Sequence, residues 1–166
     1  MSKYLLDANI FIQAKNLHYG FDFCPAFWDW LVQQNALGKV ASIEKIADEL
    51  AGEDDLSQWA AMRSADFFLP ADSNVIAAFS EISAWLPQQN YEPAAISTFS
   101  QVADYWIVAH AKAHDWTVVT HEVPSNSTKK VKIPDVCAGL KIHCISPYAM
   151  LRREHARFVL GTRAAA

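Results

Sequence analysis

The hydrophobic pattern of this chain switches repeatedly between short apolar runs and helical stripes. Tyr4-Leu5-Leu6 is an apolar run closed by Asp7, and an amphipathic segment follows from Asn9. That pattern predicts a buried strand over 3–6 that delivers one carboxylate to the edge of a parallel sheet. The helix after it breaks near Gly20. Pro25 suits the first turn of a second helix carrying Phe27, Trp28, Trp30, Leu31 and Val32, which ends at Asn35-Ala36-Leu37-Gly38. Lys39–Ser42 reads as a second strand, with Ser42 placed to cap the helix that follows.

That third helix has its stripe at Ile43, Ile46, Ala47, Leu50 and Ala51, with Glu49 on one flank and Glu44 and Asp48 on the other. Glu53-Asp54-Asp55 opens a further helix with acids where the dipole favours them. Helices are predicted near 55–64 and 73–86, with a short extended piece at Phe67-Phe68-Leu69. A loop over 88–92 leads to Pro93, and a long helix runs from about Ser100 to His114. Trp116–Val119 and Lys141–Ile145 read as the third and fourth strands. A polar loop covers 123–130, Pro134 opens a helical turn, and Pro147 starts a last helix through roughly Phe158. Strands alternating with helices predict an α/β fold with a central, mainly parallel sheet flanked by helices on both faces. The stretch 43–115 is expected to form a helical subregion leaning over one edge.

The totals narrow the class. A length of 166 residues predicts one domain over 1–166. An apolar share of 52% against 19% charged sets disorder aside. Met1-Ser2-Lys3 leads into a strand without a signal-peptide pattern, and no apolar run is long enough to span a bilayer, so a cytoplasmic protein is expected. Cys24, Cys137 and Cys144 lack a zinc-type pairing and read as reduced core thiols. Charge is divided unevenly. Residues 1–128 carry six Lys and Arg against sixteen Asp and Glu, whereas residues 129–166 carry eight against two. An acidic body with a basic end suits a metal site beside a polyanion-binding surface.

Three acids stand out by position. Asp7 ends the first strand. Glu122 lies just beyond the third. Asp104 sits in an otherwise apolar helix, Val102-Ala103-Asp104-Tyr105-Trp106-Ile107-Val108-Ala109, where an unpaired carboxylate is costly. A fourth comes from among Glu44, Asp48 and Glu49, and periodicity leaves open which of them turns inward. Clustered carboxylates suit hard cations such as Mg²⁺ or Mn²⁺, which activate water and stabilise phosphodiester displacement. Asn9 and Thr120 are placed to support the acids by hydrogen bonds, and Lys129, Lys130 and Lys132 to hold substrate phosphates. His110 and His114 have helical spacing for zinc, but no third ligand is evident. No Gly-x-Gly-x-x-Gly or Walker-type loop is present, which sets nucleotide cofactors aside. Asp7-Ala8-Asn9 lacks the second acid of an aspartyl-phosphate phosphohydrolase.

Four stretches resemble the PIN-domain family, small metal-dependent nucleases that include VapC-type toxins. They are Leu6-Asp7-Ala8-Asn9, Asp48-Glu49-Leu50, Ala103–Ala109 and Val118-Val119-Thr120-His121-Glu122. Further runs, Asp22–Leu31, Val131–Cys137 and Met150-Leu151-Arg152, resemble an uncharacterised PIN-like subfamily of prokaryotic proteins more closely. The resemblance implies a four-carboxylate metal centre of Asp7, Glu49, Asp104 and Glu122, with Asp135 in reserve. It implies a Mg²⁺- or Mn²⁺-dependent endoribonuclease acting on RNA, with an antitoxin protein as partner and often a homodimer. Many PIN domains carry an aspartate where this chain has Glu122. The competing expectation is a catalytically silent PIN-like module that binds RNA or protein.

Overall fold

The computed structural model describes residues 1–161. Five strands lie side by side, all parallel, in the order β3-β2-β1-β4-β5. They are β1 (Tyr4–Leu6), β2 (Val40–Ile43), β3 (Phe68–Leu69), β4 (Thr117–Val119) and β5 (Cys144–Ile145). Every residue of β1 and β2 is buried, as are Val118 and Val119. Continuous apolar strands of this kind require cover on both faces of the sheet, which the helices supply. The α/β class and the parallel sheet are therefore as expected from the pattern.

Strand order decides where a ligand can sit. The chain steps outward from β1 to β2 to β3, then returns so that β4 lies on the other side of β1. The direction of winding reverses between β1 and β4, and crevices form beyond the carboxyl ends of strands at such a reversal. Leu6 pairs with Val119 in register, so Asp7 and Thr120 emerge side by side at that point.

Helix starts follow local chemistry. Asp7 caps α1 (Ala8–Gln13), its Oδ1 accepting from the Ala8 amide at 2.8 Å. A π-helical turn, Ala14–His18, carries the chain on from α1. Asp54 caps α4 (Asp55–Ala61) through the Ser57 amide at 2.9 Å, the acidic start predicted from Glu53-Asp54-Asp55. Asp72 caps α5 (Ser73–Trp85) through Val75. Tyr105 of α7 (Ala103–His114) stacks on Phe79 of α5 with ring centres 4.7 Å apart, and its hydroxyl donates to the Phe79 carbonyl at 3.1 Å. Packing of α7 against both β2 and β4 lays it across the middle of the sheet.

Several expected boundaries move. Phe68–Leu69 is a true edge strand beside β2, so the stretch 43–115 contributes to the sheet instead of leaning over its edge. Pro93–Ser100 is a helix of its own, α6, and extended backbone at Val102 separates it from α7. Ser42 caps no helix. It is a fully buried strand residue whose Oγ donates to the Leu6 carbonyl at 2.6 Å, stitching β2 to β1. The last helix, α9 (Pro147–Arg153), stops well short of Phe158. Glu154 turns back to accept from Tyr4 Oη at 2.8 Å and Lys39 Nζ at 2.7 Å, and His155 enters the left-handed region at φ 53°. Among the described residues no helix is long and apolar enough to cross a membrane.

Candidate functional site

At the reversal point Asp7 is 5% exposed, and its two oxygens have different partners. Oδ1 accepts from Ala8 N, while Oδ2 accepts from the Thr120 hydroxyl at 2.7 Å. Thr120 Oγ1 in turn accepts from Asn9 Nδ2 at 3.0 Å and from the Glu122 amide at 3.0 Å. A hydroxyl has one proton and two lone pairs, and all three are used here. Asn9 closes the loop by accepting from the His121 amide through Oδ1 at 3.1 Å. The two residues expected to support the acids thus lock the end of β4 onto the start of α1.

Asp104 is the first-turn acid of α7, half-buried, and Glu49 lies near the end of α3 (Glu44–Leu50). Both line one cleft of about 430 Å³. Burial pushes Asp7 up from 3.8 to about 7, against the Thr120 hydrogen bond, and the charges of Asp104 and Glu122 push the same way. Burial likewise raises Asp104 to about 6, with help from Glu122 and Glu49, while Lys130 and Lys132 oppose it. Glu49 is an exposed residue overall, yet partial burial of its carboxyl still raises it, against the nearby Ala103 amide. Asp104 is thus the link among the four acids named from the sequence: it shares the cleft with Glu49 and acts through space on Asp7, whereas Asp7 and Glu122 lie outside the cleft lining. Glu44, the rival on α3, is drawn aside to accept from the Ala71 amide at 3.4 Å.

Glu122 is held differently. Its Oε2 accepts from the Ile133 amide at 2.8 Å, at the first turn of α8 (Ile133–Leu140), and Lys132 Nζ lies 3.6 Å from Oε1. An anion at a helix start is favoured by the dipole. Lys132 is thus partly committed to Glu122, whereas Lys129 and Lys130 are exposed and line the cleft with Glu49 and Asp104. Asp135 accepts from the Ser125 amide through both oxygens, at 3.3 and 3.1 Å, and so anchors the lysine-bearing loop.

The pattern of residues did not single out the aromatic rim. His121 is half-buried, its ring 5.5 Å from His18 and 5.8 Å from Tyr148, and Tyr148 Oη lies 3.2 Å from His18 Nε2. His18 sits on the π-helical turn, which no local sequence signal marks. The two histidines at helical spacing have other surroundings: His114 Nε2 pairs with Asp72 at 2.9 Å, and burial pushes His110 down to about 4.

Among the described residues no three His, Cys, Asp or Glu side chains stand close enough together to hold a metal ion. The donor set nonetheless fits a hard divalent cation. The fit is one of chemistry: Asp7, Glu49 and Asp104 offer oxygens only, Asp104 is repelled by Glu49 and Asp7 by Asp104, and none of the three makes a salt bridge among the described residues. Mg²⁺ keeps several of its waters and needs few direct protein ligands.

The chain belongs to the family described as a domain of unknown function, DUF4411, whose model matches residues 4–158. No curated protein and no solved structure matches it.

Proposed function

We propose that this member of the DUF4411 family is a PIN-like, Mg²⁺- or Mn²⁺-dependent endoribonuclease. The observation that carries the reading is the placement of Asp7 beside Thr120 at the strand-order reversal, with Asp104, Glu49 and Glu122 within electrostatic reach. Burying mutually repelling carboxylates is costly for the fold, and a cation removes that cost. When bound, Mg²⁺ or Mn²⁺ supplies Lewis acidity, which makes a neighbouring water more acidic and offsets charge that builds on phosphodiester oxygens.

The chain's own residues do the rest. Asp7, Glu49 and Asp104 would hold the cation, and Glu122, fixed by Ile133 N and Lys132, would close the negative field on the β4 side. Thr120 and Asn9 fix the orientation of the Asp7 carboxylate, so its free lone pairs keep one direction. One of these carboxylates would take the proton of the attacking water as its oxygen bonds to phosphorus, while the P–O bond to the leaving ribose oxygen breaks and that oxygen takes a proton from solvent. Lys129 and Lys130 sit at the cleft to neutralise phosphates flanking the cut. An antitoxin partner is the context implied by the resemblance to toxin nucleases.

The test is cleavage of a mixed RNA pool in EDTA, Mg²⁺ or Mn²⁺, with wild type beside Asp104→Asn. Cutting that needs metal and is lost in the variant supports the reading. RNA binding that survives EDTA with no cutting in any metal would instead make this chain a binding module.

A further inference from the structure

The cleft shared by Glu49 and Asp104 has a second half that holding a cation does not use. Ala95 and Phe99 of α6, Val102 at the break before α7, and Val131 in the lysine-bearing loop line it. Three of these are buried, and Val102 is 37% exposed. The break between α6 and α7 shapes this wall: extended backbone at Val102 sets α6 off from α7, and both sides of that break contribute to the cleft. Three chemistries therefore meet in about 430 Å³: the carboxylates of Glu49 and Asp104, the side chains of Lys129 and Lys130, and an apolar wall. That volume falls in the range of small-molecule sites, roughly 300–1,000 Å³.

A nucleotide carries the matching set. Its phosphate suits a cation held by the carboxylates, the next phosphate suits Lys129 and Lys130, and the face of its base suits the apolar wall. A purely apolar peptide would leave the ammonium and carboxylate groups without counterparts, so the charge pattern favours the nucleotide. A base inside a duplex has both faces covered by its neighbours, and extruding it costs unstacking energy that an unpaired base avoids. From this juxtaposition we infer that the cleft is a nucleobase subsite, taking one unstacked base of single-stranded RNA beside the scissile phosphate. The position of the cut rests on the ribonuclease reading, whereas nucleotide binding in the cleft does not.

Two measurements test it separately. In the first, the protein is titrated with uridine and adenosine 5′-monophosphate and with ribose 5-phosphate while the amide resonances of Thr98, Val102 and Val131 are followed. Nucleotides are expected to shift all three, with ribose 5-phosphate weaker by roughly tenfold, the scale of one base contact. Thr98→Trp, which fills the cleft from an exposed position of α6, is expected to abolish the shifts of Val102 and Val131. Equal binding of ribose 5-phosphate, or nucleotides that leave these resonances unmoved, overturns the subsite and leaves the wall to a protein segment. In the second, a single-stranded RNA is cut after one base at a time has been removed from its backbone. A drop in kcat/KM of roughly tenfold at one fixed position from the cut is expected. A flat response overturns the subsite while leaving the nuclease intact. If no RNA is cut at all, the nuclease reading fails, and the titration still decides the subsite.

Discussion

Replacing Asp7 with asparagine should abolish cleavage and yet make the metal-free protein more stable at pH 8. The native carboxyl titrates near 7 instead of 3.8, because burial and the charges of Asp104 and Glu122 disfavour its ionised form. At ~1.4 kcal/mol per pH unit, that gap corresponds to roughly 4 kcal/mol of destabilisation once the group is ionised in both states. The folded state binds the extra proton between those two values, so the stabilising proton is fully present below 3.8 and lost as pH rises through about 7. Asparagine removes the buried charge but cannot reproduce the hydrogen bonds. Its amide nitrogen would face Thr120 Oγ1, whose lone pairs already serve Asn9 and Glu122, and flipping it would face the Ala8 amide. One mispaired polar group costs about 1–3 kcal/mol. The net gain at pH 8 is then about 2 kcal/mol, or roughly 4–8 °C in Tm for a chain of this size. Thermal melts in EDTA at pH 4 and pH 8 measure it. The variant should melt below wild type at pH 4 and above it at pH 8, and saturating Mn²⁺ should raise the Tm of wild type alone. A variant less stable than wild type at both pH values would refute the argument that Asp7 is a buried, destabilising charge.

Thr120→Val removes a hydroxyl with three partners and should cost about 2–3 kcal/mol in urea unfolding. Because the Thr120 hydrogen bond holds Asp7 down, the acid limb of the cleavage pH profile should also move to higher pH in that variant; an unmoved profile would separate Thr120 from Asp7. Gly139→Ala on α8 would bring a methyl group to 2.0 Å from the Trp85 ring, so overpacking should lower stability by about 1–3 kcal/mol, and a variant as stable as wild type would show that α8 can shift. His110 is buried and pushed down to about 4, so its unfolded form binds a proton first as pH falls below 6.5; wild type should lose up to roughly 3 kcal/mol between pH 6.5 and 4 relative to His110→Gln, read from urea midpoints.

What could be read from the residues follows from how much of each element the chain itself encodes. Asp7 was legible because three consecutive buried residues end at it, and a run buried on both faces has no alternation to confuse. Asp104 stood out because its helix buries Ile107 through Ala111 without a break, which leaves a lone acid conspicuous. The acid of α3 was not legible, since its helix is seven residues long and buries only Ile46 and Leu50. Periodicity cannot tell which flank meets α7. In the fold it is Glu49 that reaches the cleft, while Glu44 is bonded to Ala71. β3 shows in the pattern only as a short extended piece, because two residues carry no period, and pairing with Ser42 and Ile43 is what makes them a strand of the sheet. Ser42 was misread as a cap because a serine before a helix resembles one. Its true partner, the Leu6 carbonyl, lies 36 positions away in the chain. The apolar half of the cleft was hidden for a similar reason, since Phe99, Val102 and Val131 meet only once α6 and the lysine loop are folded together.

On the proposed function, the acid cluster works by holding a catalytic cation. Mn²⁺ occupancy, followed by the loss of free-ion electron paramagnetic resonance signal, can be measured on the same samples as RNA cleavage, for wild type and Asp104→Asn. One saturation curve is expected for occupancy and rate in wild type, with both lost or strongly weakened in the variant. Cleavage that proceeds in EDTA, or that survives in Asp104→Asn at full rate, would contradict it.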